Sequence, residues 1–543
     1  MSLIRDIDRL TARTFDVLVV GGGIYGLTVA YDAAQRGLSV ALIERDDFGS
    51  GTSFNHLRTI HGGLRYLQTL DLARSRESVR ERRALARIAP HALRTVPFSL
   101  PLYRSLTRGR AAMRAGFLLD RLVSADRNRG IPAALHLPAG RVVSRAAALE
   151  RFPGLGGRGI TGAAVWHDYV TTEADRLTFA WAWAAAEQRA MLANHVEAVA
   201  PLLAARRVVG VRATDAMTGR TVEIGARVTV NATGAAIDRL LAPAGTTGGI
   251  SLLRAMNLVT CRPAGDEALG GRSAAGRHLF LVPWRGRALF GTWESPRPCR
   301  PEDTAPGESE IAAFITELNE AFPGLALTMD EVTLVHRGLV PAVRSADGGV
   351  TLEGRERVRD HADEGIDGIV SVAGAKYTTA RAVAERVTDQ LLRKLGRAPV
   401  PCQTASTPLP GGQLASEAAE VASDGTGGDA PLAVDALPHL VAAYGSRYRE
   451  VLNLARERPA WRARLDEGSP VIAAQLVWAV RHEMAMTLAD AVIRRTPLGA
   501  LGYPGDATAA RSAEIIGAEL GWSGQTRAAE IDRLRRFYAI PPI

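Results

Sequence analysis

A glycine-rich turn between a buried strand and a helix is the sequence feature that most constrains the fold. The apolar run from Phe15 to Val20 leads into Gly21-Gly22-Gly23-Ile24-Tyr25-Gly26, which matches the GxGxxG pattern. A helical stretch, a second apolar strand from Ser39 to Ile43 and the acidic Glu44 follow in register. In such a unit the first glycine makes the turn, the second lets a pyrophosphate approach the backbone, and the third lets helix pack on strand. The sequence therefore predicts a Rossmann-like βαβ unit in which Glu44 holds the ribose hydroxyls of a dinucleotide.

Three later segments favour FAD over NAD as that dinucleotide. The apolar strand from Ala226 to Val230 ends in Asn231-Ala232-Thr233-Gly234, which is typical of the second phosphate-side turn in two-dinucleotide-fold flavoproteins. Val196 to Val199 is typical of the segment that packs against adenine in such folds. Gly368 to Gly374 reads as a strand that opens onto a helix starting near Thr378, where helix N-terminal amides can meet cofactor oxygens.

Composition excludes several other classes of protein. The chain has 543 residues, 47% hydrophobic and 23% charged, as expected of a folded protein with two or three cores. Only Lys376 and Lys394 among its 66 basic residues are lysines, so the net charge of +9 reflects an arginine bias. Without zinc-finger spacing or an aromatic-basic strip, nucleic acid is not an expected partner.

The three distant cysteines suggest neither a disulfide framework nor a metal site, which fits a reducing compartment. No G-x-S-x-G elbow supports hydrolase chemistry, and no signal peptide or spanning helix is expected.

Two motifs beyond the fingerprint are more specific. After Glu44 come Asp47-Phe48, Gly51-Thr52-Ser53 and Ile60-His61-Gly62-Gly63-Leu64-Arg65-Tyr66-Leu67, and much later comes Gly374-Ala375-Lys376-Tyr377-Thr378-Thr379. With Pro410-Gly411-Gly412, Tyr444-Gly445-Ser446 and Arg481-His482-Glu483, they make the chain similar to the FAD-dependent glycerol-3-phosphate dehydrogenases and oxidases over nearly its whole length.

The resemblance implies an α/β fold: an FAD-binding, Rossmann-like two-dinucleotide-fold flavoprotein with a mixed α/β substrate cap and a C-terminal helical domain. The FAD-dependent oxidoreductase domain is expected over residues 1–410, with FAD-binding segments at about 15–95, 160–250 and 365–400 and cap segments at about 96–159 and 251–364. Residues 411–430 are rich in Gly, Ser, Ala and Asp and are predicted to be a linker. Residues 431–543 are predicted to be helical, with Val471 to Ile493 as a central helix.

The reaction that the resemblance implies is oxidation of a secondary alcohol of a small anionic substrate, glycerol 3-phosphate or a related hydroxy compound. Hydride passes to flavin N5, and the electrons pass on to quinone or dioxygen. The catalytic candidates are Lys376, His61, Arg65 and Arg337, with His61 and Lys376 as alternative bases. The substrate-binding candidates are Arg65, Tyr66, Asn257, Trp293, Arg337, Arg344 and Lys376. The cofactor-binding candidates are Gly21, Gly22, Gly23, Ile24, Tyr25, Gly26, Glu44, Arg45, Gly51, Thr52, Ser53, His61, Gly62, Gly63, Leu64, Val196, Ala232, Thr233, Gly234, Gly374, Lys376, Tyr377 and Thr378.

Three segments depart from the family pattern. Ala255-Met256-Asn257 stands for Gly-Ser-His, Gly291-Thr292-Trp293-Glu294 for Gly-Thr-Thr-Asp, and Gly338-Leu339-Val340-Pro341 for Gly-Val-Arg-Pro. The last removes an arginine that faces the substrate in the family and leaves Arg337 and Arg344 as candidate replacements. Valine does not reproduce a bidentate arginine contact. An FAD-dependent amine or amino-acid oxidase with a non-phosphate substrate is therefore the alternative, and a non-catalytic flavoprotein is a third class.

The segment from Leu102 to Val123 bears on location. On a helix it is basic and amphipathic, which suits an anionic membrane surface. The same pattern also fits a cap helix whose arginines are merely solvated. The expected location is cytoplasmic, with peripheral attachment to the cytoplasmic face of the membrane if that helix meets lipid, and a homodimer is a further expectation.

Overall fold

A mainly parallel sheet carries the glycine-rich turn at the carboxyl end of its central strand. The structure is a computed structural model and describes residues 2–155, 159–344, 349–413 and 432–540. In these ranges the first sheet consists of β1 (Phe15–Val20), β2 (Val40–Ile43), β7 (Met191–Ala193), β8 (Val196–Ala204), β9 (Arg207–Asp215), β10 (Thr221–Asn231), β17 (Arg357–Asp360) and β18 (Ile369–Ala373).

The strand order of this sheet is β17-β18-β10-β1-β2-β7, with β8 and β9 joined to the first half of β10. β1 pairs in parallel with β10 and β2, so that Val19 lies beside Val230 and Leu42. β10 also pairs in parallel with β18, which brings Val370 beside Val230. Because parallel strands end at one edge, the turns after β1, β10 and β18 meet there, which is where open α/β sheets bind ligands.

Helices cover both faces of the first sheet. α2 (Ile24–Gln35) packs against α6 (Ala174–Glu187) and α9 (Ala380–Lys394), and the rings of Tyr31 and Trp181 lie 5.8 Å apart at the first contact. Val17 and Val19 of β1 pack beneath these helices, whereas Phe15, Leu18 and Val20 belong to the core on the other face. The other helices of this half are α1 (Ile7–Thr11), α3 (Leu72–Ile88) and α7 (Ile237–Leu241), whereas α5 (Arg145–Arg151) packs on the second sheet.

The second sheet forms the cap, and it takes more of the chain than predicted. In the described residues its order is β16-β15-β11-β14-β13-β12-β4-β6-β3, with β5 on β6. β3, β6 and the start of β4 lie within segments predicted to bind FAD, but β4 and β6 pair with each other over their full lengths. Because β4 and β6 form their hydrogen bonds with each other, they belong to the second sheet and not to the first. The strands are β3 (Thr59–Ile60), β4 (Leu93–Leu102), β5 (Arg141–Val143), β6 (Gly162–Thr171), β11 (Ser251–Pro263), β12 (Ala268–Arg272), β13 (His278–Trp284), β14 (Arg287–Glu294), β15 (Val332–Arg344) and β16 (Val350–Leu352), and α8 (Glu308–Ala321) packs on them.

Two predicted helices are shorter in the structure. Leu102 is the last residue of β4, so the basic amphipathic helix is only α4 (Arg110–Val123), which begins after Gly109. The helix predicted from Val471 to Ile493 ends at Glu483, because Met484 adopts a left-handed backbone with φ of 53°. A π-helical segment then follows at Asp490–Arg495. In the described ranges no helix is both long and apolar enough to cross a membrane.

The C-terminal part of the chain is helical, as predicted. It contains α10 (Ala436–Tyr444), α11 (Tyr448–Glu457), α12 (Ala473–Glu483), α13 (Asp506–Leu520) and α14 (Gly524–Tyr538). Their apolar faces form one core with residues of β11, β13, β14 and β15. The predicted linker at 411–430 lies outside the described residues from position 414 onward.

A buried ion network joins the C-terminal helices to the first sheet. The carboxylate of Asp47, just after β2, accepts hydrogen bonds from Nη1 and Nη2 of Arg495, both at 2.7 Å, and from Nε of Arg494 at 3.2 Å. Asn194 Nδ2 donates to the same carboxylate at 3.0 Å. Asp47 and Arg495 are both fully buried. A charge-assisted, bidentate pair of this kind orients the two domains as well as joining them.

Candidate active site

A cavity of about 410 Å³ lies at the edge where β1, β10 and β18 end. The N-terminus of α2, the segment after β2 and the middle of β15 complete its walls. Most of the predicted cofactor residues line it. They are Gly21, Gly23, Ile24, Tyr25, Glu44, Arg45, Gly51, Thr52, Ser53, Val196, Ala232, Thr233, Gly234, Gly374, Lys376 and Tyr377.

The glycine turn has the geometry that a dinucleotide requires. Gly21 has φ of +106°, and a Cβ there would lie 2.5 Å from the carbonyl oxygen of Ala232, so the turn excludes any side chain. At Gly23 the nearest heavy atom to an added Cβ is Ser53 Oγ at 3.2 Å, and that position faces the cavity. Ser53 Oγ also accepts a hydrogen bond from Ile24 N at 2.8 Å, which ties the segment after β2 to the N-terminus of α2. The cradle therefore fits a pyrophosphate at a helix N-terminus, as FAD would supply.

Glu44 lies at one end of the cavity and is held by backbone donors. Its Oε2 accepts from Gly22 N at 2.6 Å and its Oε1 from Asp46 N at 2.9 Å. Burial raises the pKa of Glu44, although these two donors act in the opposite direction. Gly22 thus serves to orient Glu44 and does not itself line the cavity. The role of Glu44 on the ribose hydroxyls stays a prediction.

A cluster of cationic and aromatic side chains lies beside the cavity, at the loop after β18. Lys376 Nζ lies 4.6 Å from the centre of the Tyr66 ring, and Arg65 Nη2 donates to Tyr66 Oη at 3.2 Å. Burial alone would raise the pKa of Tyr66, but the charge of Arg65 and hydrogen bonds from Lys376 and Arg65 lower it. Unlike Lys394, which pairs with Asp360 and Asp367, Lys376 forms no ion pair with any residue that the structure describes. The cluster can therefore attract an anion.

His61 belongs to the same cluster, although it does not line the cavity. Burial lowers the pKa of His61 to about 4, and the charges of Arg65 and Lys376 act in the same direction. The ring is therefore neutral near pH 7 and able to accept a proton. Its chain segment is anchored because Gly62 N donates at 2.8 Å to Asp168, whose carboxylate also pairs with Arg82.

Five predicted cofactor residues lie away from the cavity for packing reasons. Gly26 packs on the carbonyl of Gly21 in the turn itself, and Thr378 is buried at the start of the segment leading to α9. Gly62 and Gly63 lie against Arg82 and Ser78 of α3, and Leu64 packs on Leu102 and Phe117 of the cap. The prediction that these five contact the cofactor is not supported by this geometry.

The two arginines predicted to replace the missing pocket arginine do not join the cationic cluster. Arg337 lines the cavity, but its guanidinium lies 5.6 Å from the centre of the Phe537 ring and donates to the Phe537 carbonyl at 3.3 Å. Arg344 is exposed at the end of β15 and does not line the cavity, so its substrate contact stays a prediction that this geometry does not support. Val340, at the position of the family arginine, lines the cavity and packs near Ala375.

The two other departures from the family pattern lie behind the cavity wall. Trp293 is buried on the α8 side of the sheet, with its ring 6.4 Å from that of Phe314, so its substrate contact also stays a prediction that this geometry does not support. Asn257 is fully buried and donates from Nδ2 to Asn55 Oδ1 at 2.8 Å. Asn257 thus reaches the cavity only through Asn55, which lines it, and the substrate contact of Asn257 stays a prediction.

Sequence reasoning missed a buried histidine and arginine beside the cavity. His56 lines the cavity and stacks on Tyr377 with ring centres 4.7 Å apart. Its Nδ1 accepts from the backbone N–H of Arg58 at 3.1 Å, and Arg58 is fully buried between His56 and His336. Burial and the charge of Arg58 lower the pKa of His56 well below its ordinary value. Both residues stand within the stretch from Gly51 to Leu67, and no local pattern marked them as cavity residues.

Comparison with known proteins agrees with this geometry. Residues 16–390 match the family of FAD dependent oxidoreductases, and residues 402–527 match the C-terminal domain of alpha-glycerophosphate oxidase. A glycerol-3-phosphate dehydrogenase from Synechocystis sp. is 30% identical over 512 residues, covering 91% of this chain and 90% of that protein.

Solved structures show the same fold. The glycerol-3-phosphate dehydrogenase from Bacillus halodurans, complexed with FAD, superposes with a TM-score of 0.76 at 23% identity, covering 99% of this chain and 97% of that one. Glycine oxidase from Geobacillus kaustophilus superposes less closely, with a TM-score of 0.53 at 18% identity over 73% of this chain and 98% of that one. The likeness to the amine-oxidising enzyme is thus restricted to part of the chain.

Proposed function

The chain belongs to the FAD-dependent glycerol-3-phosphate dehydrogenase family, and from this premise we propose that it oxidises the secondary hydroxyl of a small anionic substrate, with glycerol 3-phosphate as the first candidate. One observation carries the choice of an anion: Arg65, Tyr66 and Lys376 meet beside the cavity, and Lys376 lacks an ion-pair partner among the residues described. Bound FAD supplies the acceptor for the hydride that leaves the carbinol carbon.

Each residue of the cluster has a distinct role in this proposal. The guanidinium of Arg65 and the ammonium of Lys376 bind the anionic end and so orient the carbinol carbon. The neutral imidazole of His61 accepts the hydroxyl proton as the hydride departs. Asp168 positions His61 through the N–H of Gly62. Oxidation of the secondary alcohol then gives a ketone.

The experiment that tests this proposal is an anaerobic substrate panel, read from the loss of flavin absorbance. Glycerol 3-phosphate should bleach the flavin and glycerol should not, because glycerol lacks the anionic group that Arg65 and Lys376 bind. A related hydroxy phosphate that bleaches faster than glycerol 3-phosphate would keep the reaction and change the substrate. Bleaching by glycine or proline instead would show that the protein is an amine-oxidising enzyme, the alternative that the relatives disfavour.

The depressed pKa of His61 gives a pH prediction. A histidine base of ordinary pKa would lose activity below about pH 6.5. Because the folded-state pKa of His61 is about 4, the imidazole stays neutral as pH falls from 8 to 5. We therefore expect His61 to contribute no acid limb to kcat/KM between pH 5 and pH 7, so that any change in this range follows the second ionisation of the substrate phosphate, at pH ~6. An acid limb with a midpoint near 6.5 that disappears in His61→Asn would contradict this placement of the ring.

For the electron acceptor, we propose that the protein docks peripherally on an anionic membrane and passes electrons to quinone. Support comes from the cap, where Leu106, Leu118 and Leu122 have exposed fractions of 99%, 63% and 72%. Leu118 and Leu122 lie on α4, where Arg114 and Arg121 are also exposed, and Leu106 lies in the turn before it. Apolar side chains among arginines are the pattern of an interfacial helix.

Three further expectations stay predictions. Oxygen-consumption assays would check dioxygen as acceptor, fractionation would check cytoplasmic location, and light scattering would check homodimerisation.

Vesicle sedimentation tests this docking. The holoenzyme should pellet with vesicles containing anionic lipid and be released as salt rises, since screening shortens the Debye length to ~10 Å at 0.1 M. Leu118→Glu with Leu122→Glu should reduce the bound fraction about tenfold without slowing flavin reduction. Val434→Glu is the matched control, because Val434 is 93% exposed outside the cap. Equal binding by all three proteins, or fast dioxygen use without binding, would rule out this surface.

A further inference from the structure

Tyr25 stands at one of the variable positions of the GxGxxG motif. Its side chain contacts the loop from Gly374 to Tyr377 after β18, called the lysine loop below. Tyr25 is the second residue of α2, whose N-terminus forms the pyrophosphate cradle. Its phenol Oη donates to the carbonyl oxygen of Lys376 at 3.0 Å and accepts from the backbone N–H of Lys376 at 3.4 Å. One side chain of the cofactor turn thus contacts both polar backbone groups of the lysine that faces the substrate cluster.

The backbone of the lysine loop is shaped to receive this phenol. A Cβ at Gly374 would collide with Tyr25 Oη, so the phenol fills the space that a side chain at position 374 would need. The next anchor along the loop is Tyr377, whose Oη contacts Thr178 Oγ1 at 2.9 Å and whose ring stacks on His56. Lys376 lies between these two anchors, which direct its side chain toward Tyr66.

The phenol of Tyr25 stays protonated, as this double contact requires. Burial raises its pKa, and the nearby carboxylates of Glu356 and Glu77 act in the same direction, while Arg386 acts against them. Arg386 pairs with both carboxylates, at 2.8 Å to Glu77 Oε1. Arg386 offsets only part of the negative charge, so burial and the net charge both favour the neutral phenol, and the hydroxyl remains both a donor and an acceptor across neutral pH.

We propose that Tyr25 is a positioning residue that sets the place of the Lys376 ammonium and couples it to the cofactor-binding end of α2. The proposal rests on the proposed function, in which Lys376 binds the anionic end of the substrate. Removing the hydroxyl leaves the backbone of Lys376 without its side-chain anchor, so the ammonium samples a wider volume. Loss of such a contact at a reacting site costs about tenfold in rate.

The test uses Tyr25→Phe holoenzyme, with Tyr31→Phe as the control on the same helix. Tyr31 is buried against Trp181 and makes no contact with the lysine loop. We expect Tyr25→Phe to keep stoichiometric FAD, to slow flavin reduction by glycerol 3-phosphate about tenfold and to raise the KM. In a Lys376→Met background the same change should slow reduction less than twofold, because the tyrosine acts through the lysine.

Amide hydrogen exchange gives a readout that needs no substrate. The segment 374–378 should exchange at least fivefold faster in Tyr25→Phe than in the wild type or in Tyr31→Phe. Unchanged exchange would overturn the proposal. So would a Tyr25→Phe effect on the rate of flavin reduction that is as large in the Lys376→Met background as in the wild type. If glycerol 3-phosphate fails to reduce the wild-type flavin while the exchange difference persists, the proposed substrate is wrong and the anchoring of the loop is not.

Discussion

Lys376→Met should lower the rate of flavin reduction by a factor on the order of 100, or ~3 kcal/mol of transition-state stabilisation, while FAD stays bound. Methionine keeps the length of the side chain and removes the charge that lies 4.6 Å from the Tyr66 ring centre. Arg65 then faces the anionic substrate alone. Anaerobic stopped-flow mixing with glycerol 3-phosphate measures the rate, and absorbance of released flavin measures cofactor retention.

Lys376→Arg should also be impaired, although it preserves the charge. A planar guanidinium needs a wider, fork-shaped site than the compact ammonium, which lies over the Tyr66 ring. The matched control is Lys394→Arg, since Lys394 pairs with Asp360 and Asp367 away from the cavity and its replacement should leave reduction unchanged. Wild-type reduction kinetics in Lys376→Met would show that this lysine is structural.

Gly23→Val should abolish retention of FAD and leave the apoprotein folded. A Cβ at Gly23 has one close heavy atom, Ser53 Oγ at 3.2 Å, so the polypeptide needs only a small shift of that hydroxyl to accept a side chain there. The valine methyls extend into the cavity, where they block approach of the pyrophosphate to the N-terminus of α2. Flavin absorbance after purification measures bound FAD, and circular dichroism measures the fold.

The control for this substitution is Gly265→Val. An added Cβ at Gly265 has no heavy atom within 4 Å, and the residue is exposed outside the cavity. This variant should retain the wild-type amount of FAD. Stoichiometric FAD in Gly23→Val would mean that the pyrophosphate lies elsewhere and that the cradle is misassigned.

The dinucleotide fold was predictable from the sequence because its signals are local. β1, the glycine turn, α2 and Glu44 lie within one short stretch of chain. At each glycine of the turn, close neighbouring atoms or the open cavity explain the absence of a side chain. The turns after β10 and β18 repeat this arrangement. Lys376 was identified by its rarity among arginines and by its loop, and the structure places it beside His61, Arg65 and Tyr66.

The cap was less predictable because strand faces depend on neighbours that are distant in sequence. Trp293 pairs with Met256 in the sheet and faces Phe314 on α8, which no pattern within β14 reveals. Arg344 is the last residue of β15 and is exposed. His56 and Arg58 were missed since their burial arises from contacts with Tyr377 and His336, more than 270 positions later.

The Asp47 network gives the C-terminal helices a part in the integrity of the cofactor half. Asp47 stands three positions after Glu44, and the cations that neutralise it, Arg494 and Arg495, come from the far end of the chain. A protein shortened to its first 410 residues would keep every cofactor-lining residue except Phe537, yet Asp47 would lose both of its guanidinium partners. Breaking a charge pair that stays buried typically costs about 3–5 kcal/mol, a large share of a domain's stability. We therefore expect substitution of Arg495 alone to weaken the region beside Glu44, although that arginine lies far from the cofactor cradle in sequence.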